Sequence, residues 1–160
     1  SLHTHSAFDA LARIRSLQVE PYLVAAALRG IISQRLLPAV CLECRGEARS
    51  DAEQAAAREL ERQGVLEAAD LGKGRLMAGA GCAACRESGT RGRVAAYEVL
   101  GINPDLRALL ESGATGPSLR EAVAGAEFVS MESYVRSLLL EGVVSPRDAL
   151  GAFPSPPAVG

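Results

Sequence analysis

Four cysteines constrain this chain more than anything else in it. They are the only ones in 160 residues, and they fall as two identical short pairs, Cys41-Leu-Glu-Cys44 and Cys82-Ala-Ala-Cys85. Two residues between thiols let both sulfurs turn onto one point while the intervening amides face them. Two such hooks make a closed tetrahedral thiolate cage, the preference of a structural zinc ion with Zn–S of about 2.3 Å. Pro38 and Gly46 flank the first hook, and Gly79, Gly81 and Gly89 the second, as loop-forming residues. A closed four-thiolate site leaves no open position for a substrate, so it predicts a structural rather than a catalytic metal. Two alternatives stand beside zinc: reduced, idle thiols, and two disulfides. The low cysteine fraction, the lack of a signal-peptide pattern and a composition able to build a core weigh against disulfides. A thioredoxin-like redox pair needs a single CxxC in a βαβ setting, which two matched pairs do not offer.

With 48% hydrophobic residues, the chain can bury a core as one domain or as two small ones. A net charge of −2 and 4% aromatic residues without Trp argue against nucleic acid as a direct partner. Cysteine usage of this kind fits a reducing, cytoplasmic compartment. No apolar run approaches the ~20 residues of a membrane span. The chain opens on Ser1 inside a motif, and is expected to be a piece of a longer protein.

Ser6, with Asp9 three residues on, predicts a helix N-terminus, with Phe8, Leu11 and Ala12 on its apolar stripe and its end near Leu17. Pro21 starts a second helix, whose run Tyr22–Leu28 is apolar nearly all round and so is expected to be buried, with Gly30 as its stop. Ile31–Leu37 reads as a strand leading into the first cysteine pair. The 37 residues between Cys44 and Cys82 exceed the about 15–20 of a simple zinc ribbon. Ser50 and Glu53 cap a polar helix over 51–63, closed by Gly64 and expected to lie on the surface as an inserted arm. Gly72-Lys-Gly-Arg75 lacks the phosphate-loop pattern and reads as a solvated turn. Val94–Leu100 is a second strand, expected to pair with Ile31–Leu37. Asn103-Pro104 opens a helix that Gly113 closes, and Ser118 with Glu121 caps another. Met131, Tyr134, Val135, Leu138 and Leu139 stripe a third helix as core, with Gly142 as its stop, and Ser145-Pro146 starts the last. From Gly151 onward, a proline-rich stretch reads as a disordered tail.

The order of these pieces resembles the assembly ATPases of type II secretion and type IV pili, the general secretion protein E family. The resemblance rests on Ser1-Leu2-His3-Thr4 followed by Ser6-Ala7, on Val19–Ala25, on Ser33-Gln-Arg-Leu36 running into CxxC, on Gly92-Arg93 with Tyr97-Glu98 after the second pair, and on Ser118–Glu121 through Gly142 and Ser145. It spans nearly the whole chain. It implies an α/β, mainly helical fragment: the C-terminal part of a RecA-like P-loop ATPase core with a tetracysteine zinc subdomain and C-terminal helices. On that basis 1–40 ends the ATPase core, 41–92 is the zinc subdomain with its inserted helix, 93–153 is a returning strand with a helical subdomain, and 154–160 is a disordered tail.

Residue by residue, the resemblance makes His3 the box histidine near the nucleotide's terminal phosphate, and Cys41, Cys44, Cys82 and Cys85 the ligands of a structural zinc. Arg35, at the family's Gln-Arg-Leu position, receives no catalytic role, and His5 stands where an Asn is usual. The stretch Leu37-Pro-Ala-Val40 replaces the usual basic residues, Glu127-Phe128 replaces Gly-Met, and the insertion between the cysteine pairs is long for the family. No P-loop, acidic magnesium-binding strand end or arginine finger lies in these residues. ATP and magnesium would therefore bind elsewhere in the parent, a hexamer that drives pilin-like subunits in secretion or pilus assembly. The fragment alone is not expected to hydrolyse ATP. Its implied partners are the rest of the ATPase, the hexamer neighbours and inner-membrane platform proteins that hold it peripherally at the membrane. The other function class is a non-enzymatic zinc-stapled adaptor that binds a partner protein.

Overall fold

The computed structural model of the chain describes residues 6–71, 76–114, 118–119, 121 and 127–153. They form a mixed α/β structure. In chain order the elements are α1 (Ala7–Ser16), α2 (Pro21–Ala27), β1 (Gly30–Val40), β2 (Arg45–Glu47), α3 (Asp51–Arg62), α4 (Ala68–Leu71), β3 (Met77–Gly79), a 3₁₀ turn (Ala83–Cys85) and β4 (Thr90–Gly101). α5 (Pro104–Glu111), β5 (Phe128–Val129), α6 (Met131–Leu140), α7 (Pro146–Ala149) and a 3₁₀ turn (Leu150–Ala152) follow. One sheet runs β1-β4-β5 and a second pairs β2 with β3. The expected pairing of the strand before the first cysteines with the strand after the second is therefore present. The chain divides into two compact units, Ser1–Gln34 with Tyr97–Ser130, and Arg35–Ala96 with Met131–Gly160.

In the first unit, Ser6 caps α1 by accepting a hydrogen bond from the Asp9 amide at 3.1 Å. The buried carboxylate of Glu98, on β4, accepts the Ala7 amide at the same helix end, where the dipole favours negative charge. Ala7, Ala10 and Leu11 face a small core with Ala25, Leu100, Leu106, Leu110 and Leu119. Phe8 meets Phe128 edge-on at 6.2 Å. Ala12, expected on this stripe, is exposed, because the buried face runs through Ala7, Ala10 and Leu11 instead. Asn103 caps α5 through the Leu106 amide at 2.8 Å, and Gly113 closes it at φ 73°. Arg107 on α5 donates to the carbonyls of Ala25 and Leu28, satisfying orphan acceptors at the end of α2.

The expectation that α2 is buried fails. Only Ala25 is buried, while Tyr22 is 60% and Leu23 48% exposed. The physical reason is that α2 packs against one helix of its unit, α5, which covers one face of a helix that is apolar on several. Nor does Gly30 stop this helix. The chain turns extended at Leu28, with ψ 128°, and Gly30 already belongs to β1.

The second unit holds the larger core: Leu37, Ala57, Leu60, Val65, Leu66, Met131, Val135, Leu138, Leu139 and Val144 are among its members. The predicted stripe of α6 is thus core. The surface arm expected over 51–63 is corrected: α3 is amphipathic and buries Ala56, Ala57 and Leu60. Its apolar face is made of alanines, so its composition reads as polar although one side is packed. Even Glu53 is buried, its Oε2 accepting the Arg147 amide at the start of α7 at 3.0 Å. Ser50 and Ser145 cap their helices through the amides of Glu53 and Asp148, and Gly64 and Gly142 end α3 and α6 with φ of 75° and 66°.

On α6, Arg136 reaches Asp70 at 2.9 Å and Glu67 at 2.7 Å, and Asp70 is almost fully buried. Residues 150–152, of which Gly151 onward was expected to be tail, instead form a 3₁₀ turn that buries Ala152. The turn expected at 72–75, most of the helix expected from Ser118, and the tail at 154–160 lie outside the described residues.

Candidate metal centre

β1 delivers the first cysteine pair. At its end the Val40 amide donates to the Val143 carbonyl at 2.8 Å and the Cys41 amide to the Gly89 carbonyl at 3.0 Å. Immediately after Cys44 the chain enters β2, which pairs antiparallel with β3 in the register Arg45↔Gly79, Gly46↔Ala78 and Glu47↔Met77. The Ala80 amide extends that ladder to the Cys44 carbonyl at 3.0 Å. The β2–β3 pair therefore returns the chain beside the first hook before the second hook begins, and this is how a 37-residue separation still brings the pairs together. Pro38 and Gly46, expected as loop residues of the first hook, sit instead inside β1 and β2.

The second hook is a 3₁₀ turn, Ala83–Cys85, closed by the Cys85 amide on the Cys82 carbonyl at 3.1 Å. Two backbone amides point at one sulfur: those of Cys82 and Gly89 lie 3.2 and 3.3 Å from Cys85 Sγ. To aim them, the chain passes through left-handed conformations at Arg86 and Glu87, φ 55° and 62°. The Ser88 hydroxyl donates to the Cys85 carbonyl at 2.7 Å and holds the loop. Gly79 and Gly89 cross so closely that a Cβ on Gly79 would lie 1.9 Å from the Gly89 carbonyl oxygen, so no other residue fits at Gly79.

The four sulfurs converge, all within 4.8 Å of one another. Cys41–Cys82 and Cys44–Cys85 are 3.9 Å apart across the hooks, and Cys82–Cys85 3.7 Å within one. All four are free thiols, and these separations are far longer than the ~2.05 Å of a disulfide. A tetrahedron of sulfurs about 2.3 Å from a central zinc has edges of about 3.8 Å. The donor set and its spacing therefore fit a zinc ion.

The thiol acidities within the cage diverge. Burial pushes the Cys44 thiol up to about 12, against the pull of a backbone hydrogen bond at Gly81. Burial also pushes on Cys85, but the Cys82 and Gly89 amides, helped by hydrogen bonds with the Cys82 and Cys44 side chains, outweigh it and bring that thiol down to about 6. Four crowded sulfurs without a cation cannot all carry charge, so one gains at its neighbour's expense. A dication at their centre is what would let all four ionise.

His3 and His5 lie outside the described residues. Arg35 lies on β1, half-buried. The β2–β3 pairing, the Gly79–Gly89 crossing and the amides on Cys85 were not anticipated. Two three-residue strands are too short for their alternation to register, though the glycines around the second pair were a signal.

A mixed α/β fold that closes two CxxC hooks on one point defines a four-thiol domain whose sulfurs could together hold one metal ion. Residues 1–151 match the family described as Type II/IV secretion system protein, and the chain belongs to that family. Among its relatives, the type IV pilus assembly ATPase PilB of Thermus thermophilus is 36% identical over 121 residues, which cover 76% of this chain and 13% of that protein. The type II secretion system ATPase E of Vibrio cholerae is 30% identical over 132 residues, 76% of this chain and 25% of its own length. The type II secretion system protein E of Klebsiella pneumoniae is 28% identical over 156 residues, 98% of this chain and 29% of its own. The chain thus spans less than a third of the length of each. Among the described residues, no helix is long and apolar enough to cross a membrane.

Proposed function

We propose that this chain is the C-terminal portion of a hexameric secretion or pilus-assembly ATPase, and that its four cysteines hold a structural zinc ion. In this reading 1–40 ends a RecA-like core, 41–92 is the zinc subdomain, 93–153 the returning strand and helical subdomain, and 154–160 a tail. ATP and magnesium are bound by the parent protein outside these residues, and His3 approaches the terminal phosphate. The parent works in the cytoplasm, held at the inner membrane by platform proteins, and couples hydrolysis to the assembly of pilin-like subunits. Carrying the proposal is the convergence of four free thiols within 4.8 Å in a chain whose residues 1–151 match this family.

Zinc in such a site acts on structure. Cys41 directly follows β1, Cys44 directly precedes β2, and Cys82 and Cys85 precede β4, so one ion would tie together strand ends that are separated in sequence. The test is zinc per chain, with a thiol titration before and after chelation. One zinc, and four thiols that react only once it is removed, is the expected result. No zinc with four freely reactive thiols in a folded chain would overturn the metal assignment. Magnesium-dependent, saturable ATP hydrolysis by the isolated chain would overturn the placement of the active site outside it.

A further inference from the structure

The two hooks are not equivalent, and the difference bears on oxidation. In the second, Cys82 and Cys85 belong to one 3₁₀ turn, with their sulfurs 3.7 Å apart, the shortest of the three sulfur contacts. Residues three apart in such a turn have Cα atoms within about 7 Å, and a disulfide needs about 4.4–6.8 Å, so bridging them asks little of the backbone. Cys82 is half-exposed, whereas Cys41 and Cys85 are buried. Cys44 is also half-exposed, but its sulfur contact at 3.9 Å is Cys85 on the other hook, across the cage. The loop after Cys85 is held by backbone bonds to its own turn: Arg86 to Ala83, Glu87 to Cys82 and Ser88 to Cys85.

We propose that Cys82 and Cys85 form an oxidisable pair within the metal centre, and that a hydroperoxide converts them to a disulfide and so releases the zinc. The proposal rests on the zinc reading above. The Cys82 sulfur attacks the O–O bond; an S–O bond forms, and the departing oxygen leaves as hydroxide or alkoxide and takes a proton. The Cys85 thiolate then attacks the sulfenic sulfur; the S–S bond forms, the S–O bond breaks, and hydroxide leaves to become water. Two thiolates thereby lose two electrons and one peroxide gains them, with two protons consumed. Zinc is left with Cys41 and Cys44 alone, half of its ligand set, and a chelator takes it. β1 and β4 then lose the link between their cysteine-bearing ends, while the backbone-held turn keeps the pair poised for reduction by a dithiol.

The experiment treats the zinc-loaded chain with limiting hydrogen peroxide, follows zinc with a chromophoric chelator and maps the first cysteine linkage by peptide mass spectrometry. The expected result is one zinc released per peroxide consumed, a Cys82–Cys85 disulfide as the first linkage, and recovery of the zinc-binding chain after a dithiol and added zinc. A first linkage of Cys44–Cys85 or Cys41–Cys82 overturns the pair assignment, as does sulfinic acid at any cysteine with zinc retained. A Cys44→Ser variant, which leaves the second hook whole, should still form the Cys82–Cys85 linkage with peroxide, and its failure to do so counts against the proposal. A chain that holds no zinc before peroxide is added overturns the metal reading, and that failure is visible before any oxidation begins.

Discussion

The two units of this chain solve the problem of holding a small fold together in different ways. The unit with the cysteines has a core drawn from α3, α6, α7 and the strand ends, an ion pair on a buried carboxylate, and a site for a metal staple. The other unit has a smaller core, with Glu98 and Arg107 hydrogen-bonding helix-end backbone groups. It also leaves Leu17, Val19, Tyr22, Leu23 and Ile32 more than 40% exposed. The cysteine unit leaves Leu36 and Leu42 exposed as well, so the contrast lies in α2, which displays its apolar side chains along a helix, and in the larger core of the cysteine unit.

The largest break in that comparison should come from removing the staple. Structural zinc contributes about 10–16 kcal/mol of apparent binding energy in small zinc peptides. Chelation, or the Cys41→Ser/Cys85→Ser double variant, should strip hydrogen-exchange protection from β2 and β3. The amides of α1 and α5 in the other unit should keep theirs. Uniform loss across both units would show that the division is not energetic.

Gly79→Ala should be nearly as damaging, at about 3–5 kcal/mol, since its Cβ would fall inside the Gly89 carbonyl and neither backbone can retreat. Gly46→Ala, one strand away, meets nothing within 4 Å and should change stability by less than about 0.5 kcal/mol. Denaturant unfolding of the two variants separates a geometric demand for glycine from a merely local one.

Much of this frame was legible in the sequence because it is written in local rules. Ser50, Asn103 and Ser145 cap helices because a side-chain oxygen reaches an amide two or three residues on, whatever the tertiary setting. Gly64, Gly113 and Gly142 end helices at positive φ for an equally local reason. The CxxC spacing likewise carries its own geometry. What was not legible depends on partners. Whether Tyr22 is buried depends on what lies against α2, and whether α3 is an arm depends on what its alanines meet. The β2–β3 ladder joins three-residue strands across α3 and α4 and is too short to announce itself, yet it is what brings the hooks together.

The buried ion pair offers a middle-sized test. Asp70→Asn removes the charge that Arg136 faces while keeping the shape, and Arg136 is a third exposed, so water can take part of the load. A loss of about 1–3 kcal/mol is expected, smaller than for a fully buried pair, together with loosening of α4 against α6. Unfolding free energies of Asp70→Asn, Arg136→Gln and the double variant form a cycle. Additive losses would mean the two side chains do not act on each other.

The smallest effects should come from the side chains that sequence reasoning placed inside. Leu60→Ala, in the cysteine unit, opens a hole in a core where that leucine is fully buried, and should cost about 2–5 kcal/mol. Tyr22→Ser and Leu23→Ser remove comparable apolar groups from α2, but roughly half of each is already in water. Each should therefore shift the unfolding free energy of the isolated chain by less than about 1 kcal/mol. The contrast is informative because composition alone predicts the opposite: α2 is the more apolar helix and α3 the more polar one. Should Tyr22→Ser cost as much as Leu60→Ala, α2 would be covered in solution, and the exposed face of the first unit would not exist. Should both serine variants be neutral, the apolar surface of α2 contributes nothing to the stability of this chain, and its hydrophobic character would have to be explained by something that binds there.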